Sequence, residues 1–227
     1  MQRFFDIFLS GLALVFLSPL LVPVVLILRF TGEGEIFFGQ ERVGLGGKPF
    51  KLLKFATMLK DSPNIGTGTI TTKDDPRVLP FGKFLRKTKI NELPQLINIL
   101  RGDMSVIGPR PQTQRCFDAF PESSKQKIIQ VRPGLSGIGS ILFRNEEEMM
   151  DAVGDPNRHY DEIIMPYKGM VEEWYVANAG IATYFKSIIL TIWVVLFPKS
   201  GLAWQAFPGL PKPVEQLEPY MGRPIRN

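Results

Sequence analysis

The chain has 227 residues, and its 27 Lys and Arg against 22 Asp and Glu give a formal net charge of +5. This length accommodates one membrane element and one domain of ordinary size. The single cysteine, Cys116, excludes an internal disulfide and favours a reducing compartment, and the lone His159 argues against a zinc site or a Ser-His triad. Any catalysis must therefore use carboxylates, amides and basic side chains.

The first predicted element is an apolar tract, residues 7–28, which is long enough to reach across a bilayer. Ser18-Pro19 lies in its middle, and because proline removes a backbone donor we predict a kink or break there. Arg3 and Arg29 flank the tract equally, so the positive charge favours neither side. Two interpretations remain open, a kinked single-pass anchor and a bent hairpin that returns to the side it entered. A cleaved signal peptide is disfavoured because Asp6 precedes the apolar run.

The remainder of the chain predicts an α/β domain that is rich in helix and has small strands. Alternation predicts strands over 35–38 and 49–55, joined by a Gly-rich turn at 44–47. Helical periodicity covers 82–100, with a break expected just after Glu92 because Pro94 follows, and it returns over 145–152 and 172–197. We predict turns at the Gly/Pro clusters 102–111 and 132–139, and an interfacial or core helix ending near residue 197.

Three segments follow from this pattern. Residues 1–30 form the membrane segment and residues 31–200 the domain. Residues 201–227 contain five prolines and few periodic apolar positions, so we predict a surface tail. The basic balance favours acidic partners, and beside a membrane segment these are anionic lipid headgroups and phosphorylated substrates. No nucleic-acid-binding motif accompanies the positive charge.

Four clusters of polar residues lie on predicted loops or helix starts: Lys54–Met58, Arg86–Gln95, Gly102–Pro111, and Val131–Gly137 followed by Arg144. The planar guanidinium of Arg110 lies between two prolines and suits a bidentate phosphate contact, although a rigid turn with a solvated arginine has the same pattern. Glu92 and Asp103 suit a divalent cation, but helix capping or surface charge also explains them. Lys54 is equally compatible with an ordinary edge-strand lysine.

Taken together in order, the motifs resemble those of the bacterial sugar transferases, the small monotopic phosphoglycosyl transferases. The resemblance covers roughly residues 3–199. It rests on the following matches: Ser18-Pro19, Gln40-x-Arg42-x-Gly44, Lys54-Phe55-x-Thr57-Met58, Asp75-x-Arg77 with Gly82, Arg86, Glu92-Leu93-Pro94-Gln95-Leu96, Gly102-Asp103-Met104-Ser105, Gly108-Pro109-Arg110-Pro111, Arg132-Pro133-Gly134, and Trp174-Tyr175 with Asn178.

The resemblance implies an enzyme that moves a sugar-1-phosphate from a UDP-sugar to a polyprenyl phosphate such as undecaprenyl phosphate. Such enzymes release UMP, require Mg²⁺ and initiate the assembly of a surface glycan or polysaccharide. It also implies a re-entrant helix-break-helix hairpin at Ser18-Pro19 and a monotopic protein on the cytoplasmic face of the bacterial inner membrane. We expect Lys54, Arg86, Arg110 and Arg144 to bind substrate phosphates. Glu92 and Asp103 are expected to hold the metal.

One position departs from the family pattern. The usual Asp-Glu dyad reads Asn91-Glu92 here, and an amide has no anionic oxygen with which to form a covalent phosphosugar intermediate. Glu92 or another carboxylate such as Asp103 would replace the nucleophile, or the lipid phosphate would attack directly with Lys54 and Arg110 offsetting charge. Alternatively, Asn91 is an inactivating change. We favour an active enzyme.

Two other functions compete with this one. A catalytically impaired member of the family would serve as a membrane scaffold or substrate-binding protein. A peripheral module that recognises anionic lipid through diffuse positive charge is less consistent with motifs so rich in Gly, Pro, Arg and carboxylates. A homo-oligomer is compatible with the sequence. If the transferase interpretation holds, Lys54, Arg86, Asn91, Glu92, Asp103 and Arg110 should converge in one pocket.

Overall fold

The computed structural model describes residues 1–64, 75–144, 146–151, 155–197 and 200–221. Within these ranges helices predominate and the strands form two small sheets, which confirms the predicted helix-rich α/β class. The chain divides into two compact units. Unit 1 contains Met1–Asp6, Arg42–Phe50 and the described residues from Gly102 onward, and unit 2 contains Ile7–Glu41 and the described residues of Lys51–Arg101.

Helix α1 runs without interruption over Gln2–Phe30 and includes both Pro19 and Pro23. The structure therefore has one continuous helix where a break at Ser18-Pro19 was predicted, and a bend at this point stays a prediction. Pro19 has no N–H to donate to the carbonyl of Val15 four residues earlier, but the Ser18 hydroxyl donates to that same carbonyl at 2.7 Å. A serine that satisfies the freed carbonyl allows a helix to continue past a proline.

Helix α1 is the one described helix that is long and apolar enough to cross a membrane. Only 11% of its most apolar window is buried inside the protein, so the segment is not the core helix of a soluble fold. Its central side chains, including Val15 and Phe16, are 70% and 74% exposed. Toward its C-terminal end, Val24 and Leu28 are buried against other parts of unit 2.

Strands β1 (Phe37–Val43) and β2 (Pro49–Phe55) pair in a two-stranded sheet. A short 3-10 helix, Leu45–Gly47, connects them where the Gly-rich turn was predicted. The bounds of β2 are as expected, whereas β1 begins and ends later than the predicted 35–38. The predicted helix over 82–100 consists of α2 (Pro80–Lys87), a 3-10 turn (Ile90–Glu92) and α3 (Gln95–Arg101).

Unit 1 contains a second sheet in which β3 (Ser105–Ile107) and β4 (Gly134–Ser136) pair in parallel, with Ser105 opposite Gly134 and Ile107 opposite Ser136. The sequence predicted only turns at these Gly/Pro clusters. The surrounding helices in chain order are α4 (Gln114–Asp118), α5 (Glu122–Ile128), α6 (Ile138–Leu142), α7 (Glu146–Asp151), α8 (Pro156–His159), α9 (Met165–Ala177), α10 (Ile181–Leu196) and α11 (Leu202–Ala206).

The predicted helix over 172–197 is two helices, because Asn178 ends α9 and Gly180 precedes α10. A π-helical segment, Tyr160–Ile164, joins α8 to α9. The end of α10 is apolar and exposed, as Ile189, Ile192 and Leu196 show. Asn145, Pro198 and Lys199 lie outside the described residues.

The C-terminal segment is not a surface tail over its described part. Phe207, Leu210, Leu217 and Met221 are all buried, and Leu217 has no exposed surface. At least one proline separates each of these side chains from the next in the sequence, so they follow no helical or strand period.

Candidate active site

In unit 2, three predicted site residues lie next to members of one hydrophobic cluster. Phe55, Leu85 and Ile90 pack in this cluster together with Val24 and Leu28 of α1. Lys54 precedes Phe55, Arg86 follows Leu85, and Asn91 follows Ile90. The cluster therefore brings β2, α2 and the 3-10 turn of Asn91 to the same part of unit 2, with Lys54 and Arg86 half-buried.

The backbone before Asn91 has an uncommon conformation. Lys89 has φ +60° and ψ 9°, which is the left-handed region, and it is the one described non-glycine residue with positive φ. A non-glycine residue in this region costs of order 1–3 kcal/mol and persists only where the surroundings impose it. Lys89 lies between the end of helix α2 and the Asn91-Glu92 pair.

Asn91 is 9% exposed, and its Oδ1 oxygen has no hydrogen-bond partner among the described residues. A buried amide oxygen without a partner is costly, because folding removes it from water without replacing the bond. Glu92, the next residue, is half-buried. The pair therefore offers an unpartnered amide oxygen and a carboxylate on consecutive residues.

The sequence did not identify Asn98 as a residue that positions this turn. The Asn98 side chain is fully buried and accepts a hydrogen bond from the Leu53 N–H at 2.9 Å, while its amide donates to the Lys51 carbonyl at 2.9 Å. It thereby ties α3, which follows Glu92, to the backbone of β2 on the approach to Lys54. The sequence feature that could have identified Asn98 is its position, since it is a polar residue at a core position of the predicted helix.

Gly82 explains why a glycine belongs in the family pattern at the start of α2. A Cβ atom there would collide with the backbone carbonyl of Thr57. The Thr57 carbonyl also accepts a hydrogen bond from Leu79 at 3.0 Å. The Lys54–Met58 motif therefore lies directly against the N-terminal end of the helix that carries Arg86.

In unit 1, the Gly108–Pro111 and Arg132–Gly134 motifs lie against each other. A Cβ on Gly134 would collide with the backbone nitrogen of Gly108, so the parallel strands approach here as only glycine permits. The Gly108 N–H donates to the Ser136 carbonyl at 2.9 Å, and the Gly134 N–H donates to the Pro109 carbonyl at 2.8 Å. Two of the four sequence clusters thus form one backbone structure.

This structure presents Arg110 as an exposed side chain. We call residues 108–111 the arginine loop. Arg42 donates to the Pro111 carbonyl at 3.1 Å, and Arg132 donates through Nε to the Gly102 carbonyl at 2.9 Å, next to the half-buried Asp103. The guanidinium groups of Arg42 and Arg132 therefore bond to backbone carbonyls, and the Arg110 side chain is exposed on the loop.

A buried carboxylate that the sequence did not single out lies behind the arginine loop. Glu172 of α9 is 1% exposed, and its Oε1 accepts from the Arg110 backbone N–H at 3.4 Å. Burial raises the pKa of Glu172 to about 7, although the charge of Lys168 and the Arg110 N–H act in the opposite direction. Gly139 provides the room for this side chain, since a Cβ there would collide with Glu172 Oε1.

The predicted site residues are distributed over both units. Lys54, Arg86, Asn91 and Glu92 belong to unit 2, and Asp103, Arg110 and Arg144 belong to unit 1, where Arg144 is exposed after the end of α6. Their convergence in one pocket stays a prediction. Among the described residues, no three His, Cys, Asp or Glu side chains group closely enough to hold a metal ion alone.

Each unit, taken by itself, presents side chains that suit phosphate chemistry. Unit 2 offers a half-buried lysine and arginine near an Asn-Glu pair, and unit 1 offers an exposed arginine on a loop fixed by backbone bonds. Basic groups held in this way suit phosphate oxygens, and a carboxylate suits either a cation or an attack on phosphorus. The chain belongs to the bacterial sugar transferase family, whose model matches residues 1–198.

Relatives with curated names agree with this family. The chain is 40% identical over 159 residues to the exopolysaccharide production protein ExoY of Sinorhizobium fredii. This alignment covers 64% of this chain and 70% of the relative. It is 38% identical over 192 residues to the UDP-glucose:undecaprenyl-phosphate glucose-1-phosphate transferase of Escherichia coli, covering 83% of this chain and 40% of that protein. It is 36% identical over 143 residues to the UDP-N-acetylgalactosamine-undecaprenyl-phosphate N-acetylgalactosaminephosphotransferase of Aeromonas hydrophila. This alignment covers 62% of this chain and 34% of that protein.

Proposed function

We propose that the protein transfers a sugar-1-phosphate from a UDP-sugar to undecaprenyl phosphate and thereby begins assembly of a surface polysaccharide. Family membership and the names of the Escherichia coli and Aeromonas hydrophila relatives support the reaction class. The structural observation that carries the proposal is the packing of Phe55, Leu85 and Ile90, which brings the Lys54, Arg86 and Asn91-Glu92 segments together.

The overall exchange is one phosphoryl transfer. An oxygen of the lipid phosphate forms a bond to the phosphorus that carries the sugar, and the bond from that phosphorus to the bridging oxygen breaks. UMP leaves with the electron pair, and the lipid carries a diphosphate-linked sugar. Lys54, Arg86, Arg110 and Arg144 would bind the phosphate oxygens and offset the negative charge that accumulates during transfer.

Two routes are compatible with Asn91. In the first, Glu92 attacks the sugar-bearing phosphorus and the lipid phosphate then displaces it. In the second, the lipid phosphate, itself an anion, attacks the phosphorus directly. Glu92 then serves as an electrostatic group or a metal ligand rather than as the nucleophile. The first route releases about one UMP per protein when UDP-sugar is supplied without acceptor, because a covalent intermediate accumulates. The second releases none until undecaprenyl phosphate is added.

The residues present fit Mg²⁺ in the form that nucleotide substrates bring it. Mg²⁺ keeps several waters and takes one or two protein carboxylates together with substrate phosphates, so no cluster of three acidic residues is needed. The half-buried Glu92 and the unpartnered, buried Oδ1 of Asn91 are two adjacent oxygen donors. Glu92 would hold the ion, with Asp103 as the second carboxylate, and the bound ion would neutralise diphosphate charge.

We also propose that α1 bends at Ser18-Pro19 and so enters and leaves the cytoplasmic leaflet of the inner membrane from the same side. Its first turns make hydrogen bonds within unit 1 through Asp6, and its last turns are buried within unit 2 through Val24 and Leu28. Its centre exposes apolar side chains, among them Val15 and Phe16. The exposed apolar end of α10, with Ile189, Ile192 and Trp193, would lie at the same interface.

The test is a UMP-release assay with the full chain in nanodiscs, undecaprenyl phosphate, Mg²⁺ and a series of UDP-sugars. We expect release with at least one donor, loss on chelation of Mg²⁺, and a decrease of roughly 100-fold or more in Glu92→Gln, the scale of removing a catalytic carboxylate. Full activity of Glu92→Gln would exclude Glu92 as the key carboxylate.

A scaffold is the competing function, and the observation that favours it is the amide at position 91. It predicts a wild-type protein that is silent with every donor and an Asn91→Asp variant that gains UMP release. This pair of results would replace the proposed function.

A further inference from the structure

The strand that leads into the arginine loop is held by a buried carboxylate from the membrane helix. Asp6 lies near the beginning of α1 and is 2% exposed. Its Oδ1 accepts hydrogen bonds from the Ser105 hydroxyl at 2.8 Å, the Val106 N–H at 2.9 Å and the Tyr184 hydroxyl at 2.9 Å. One oxygen of α1 therefore joins β3 to α10 within unit 1.

Gln2 extends the same contact, because residues four apart lie on one face of a helix. Its side-chain amide donates to the Ser105 hydroxyl at 2.9 Å and to the Ile107 carbonyl at 3.2 Å. The Tyr175 hydroxyl of α9 donates to the same Ile107 carbonyl at 3.0 Å. All three residues of β3 are thus bonded to groups outside the sheet.

The arginine loop begins directly after Ile107, and Arg110 is four residues beyond the Val106 amide that Asp6 holds. Gly108 is fixed in turn by its bond to Ser136, and the Arg110 N–H by Glu172. Hydrogen bonds to a buried carboxylate are stronger than neutral ones, and leaving such a carboxylate with unmet bonds is costly. The backbone from Ser105 to Arg110 is therefore fixed at nearly every residue.

We propose that Asp6 is a positioning residue for the arginine loop, so that Arg110 is held for a donor phosphate only while the first turns of the membrane helix are docked. This rests on the proposed function, in which Arg110 binds phosphate. Asp6 itself does not touch substrate. It acts through Val106 and Ser105, with Tyr184 as the group that fixes the carboxylate.

A purely structural role for Asp6 would give a different result, and Tyr167 supplies the matched control. Its hydroxyl donates to the Pro211 carbonyl at 2.8 Å, and Tyr167 is buried in unit 1 as Tyr184 is. Both Tyr→Phe changes remove one hydroxyl bond, but only the Tyr184 bond reaches β3 through Asp6.

The experiment uses the full chain in nanodiscs with Asp6→Asn, Ser105→Ala, Tyr184→Phe and Tyr167→Phe. Hydrogen exchange of the amides of residues 105–110 and the Kd of radiolabelled UDP-glucose are measured for each. In Asp6→Asn and Tyr184→Phe we expect exchange to be faster and UDP-glucose to bind more weakly, each by about tenfold, the scale of one hydrogen bond to a charged group. Tyr167→Phe should change neither quantity.

Exchange and Kd in Asp6→Asn and Tyr184→Phe that match those in Tyr167→Phe would overturn the proposal. Faster exchange with an unchanged Kd would overturn it as well, since the loop would then move without consequence for the donor. If the wild type binds no UDP-glucose, the donor in the proposed function is in question, and the exchange rates alone decide whether Asp6 fixes the loop.

Discussion

The protonation of Glu172 is linked to the stability of the fold. Burial raises its pKa from 4.5 to about 7, so the folded protein holds this proton over a pH range in which the unfolded chain releases it. The stabilising contribution is complete below about pH 4.5 and is lost as the pH rises through 7. Its size is on the order of 3 kcal/mol, from 1.36 kcal/mol for each pKa unit.

Glu172→Gln should remove this pH dependence, because glutamine keeps an oxygen for the Arg110 N–H but has no proton to lose. Between pH 5 and pH 8 the thermal midpoint of the wild type should fall more steeply than that of the variant, as measured in nanodiscs. Parallel curves would contradict the assignment.

Glu173 provides the control, because its pKa is lowered. Burial alone would raise it, but bonds from Lys127 and Ser124 outweigh that effect. For a carboxyl with a lowered pKa the stabilising contribution is present at neutral pH and lost as the pH falls through the folded pKa. Glu173→Gln should therefore change the acid side of the stability profile and leave the slope between pH 5 and pH 8 unchanged.

Sequence reasoning at the residue scale identified motifs well and buried partners poorly. Lys54, Arg86, Arg110 and Asn91-Glu92 stand out because their residue types suit phosphate chemistry. Asn98 and Glu172 were missed because each is one polar residue within an otherwise periodic helix, where a solvated face is the ordinary explanation. Only the tertiary contacts show that both are in the core.

Among the elements, α1 differs most from the expectation, and for a local reason. The sequence shows the prolines, but the hydroxyl bond from Ser18 to Val15 that compensates for Pro19 depends on a rotamer. The sequence did not predict the β3–β4 pair, and here the reason is not local. Three-residue strands rich in Gly and Pro have no periodicity, and their pairing depends on a close approach of two distant glycines.

Labelling of single cysteines tests the course of α1. In a Cys116→Ser background, cysteines introduced at Phe4 and at Glu33 lie just inside the start and just beyond the end of the helix. Both should react with a membrane-impermeant maleimide from the cytoplasmic side of oriented vesicles, because the proposed re-entrant course of α1 places both ends on that side. A cysteine at Phe16 should be protected. Labelling of positions 4 and 33 from opposite sides would show a single-pass helix.

The C-terminal segment offers a test of its packing. Leu217 is fully buried, whereas nearby Val214 is 39% exposed. Leu217→Ala should destabilise unit 1 by about 2–5 kcal/mol, the range for removing a buried leucine side chain, while Val214→Ala should have little effect. Thermal unfolding in detergent measures both. Equal effects would show that this segment lies on the surface, as its prolines first indicated.

At the scale of the whole molecule, the sequence predicted the fold class and the family. The ordered motifs lie within residues 1–198, and identifying them requires no knowledge of tertiary contacts. The sequence did not predict the arrangement of unit 1. Docking of Gln2 and Asp6 onto Ser105–Ile107 joins residues about one hundred positions apart, and bonds of that separation leave no local pattern. The physical consequence is that the first turns of α1 and the arginine loop are parts of one hydrogen-bonded structure.

The most direct test of the central claim follows the phosphorus atom that carries the sugar. The protein in nanodiscs is supplied with undecaprenyl phosphate, Mg²⁺ and UDP-sugars labelled with ³²P at that phosphorus. The proposed function predicts label in the extracted lipid, unlabelled UMP in the aqueous phase, and neither with Glu92→Gln. Label retained in water-soluble UDP while the sugar reaches the lipid, or label that never leaves the donor, would contradict it.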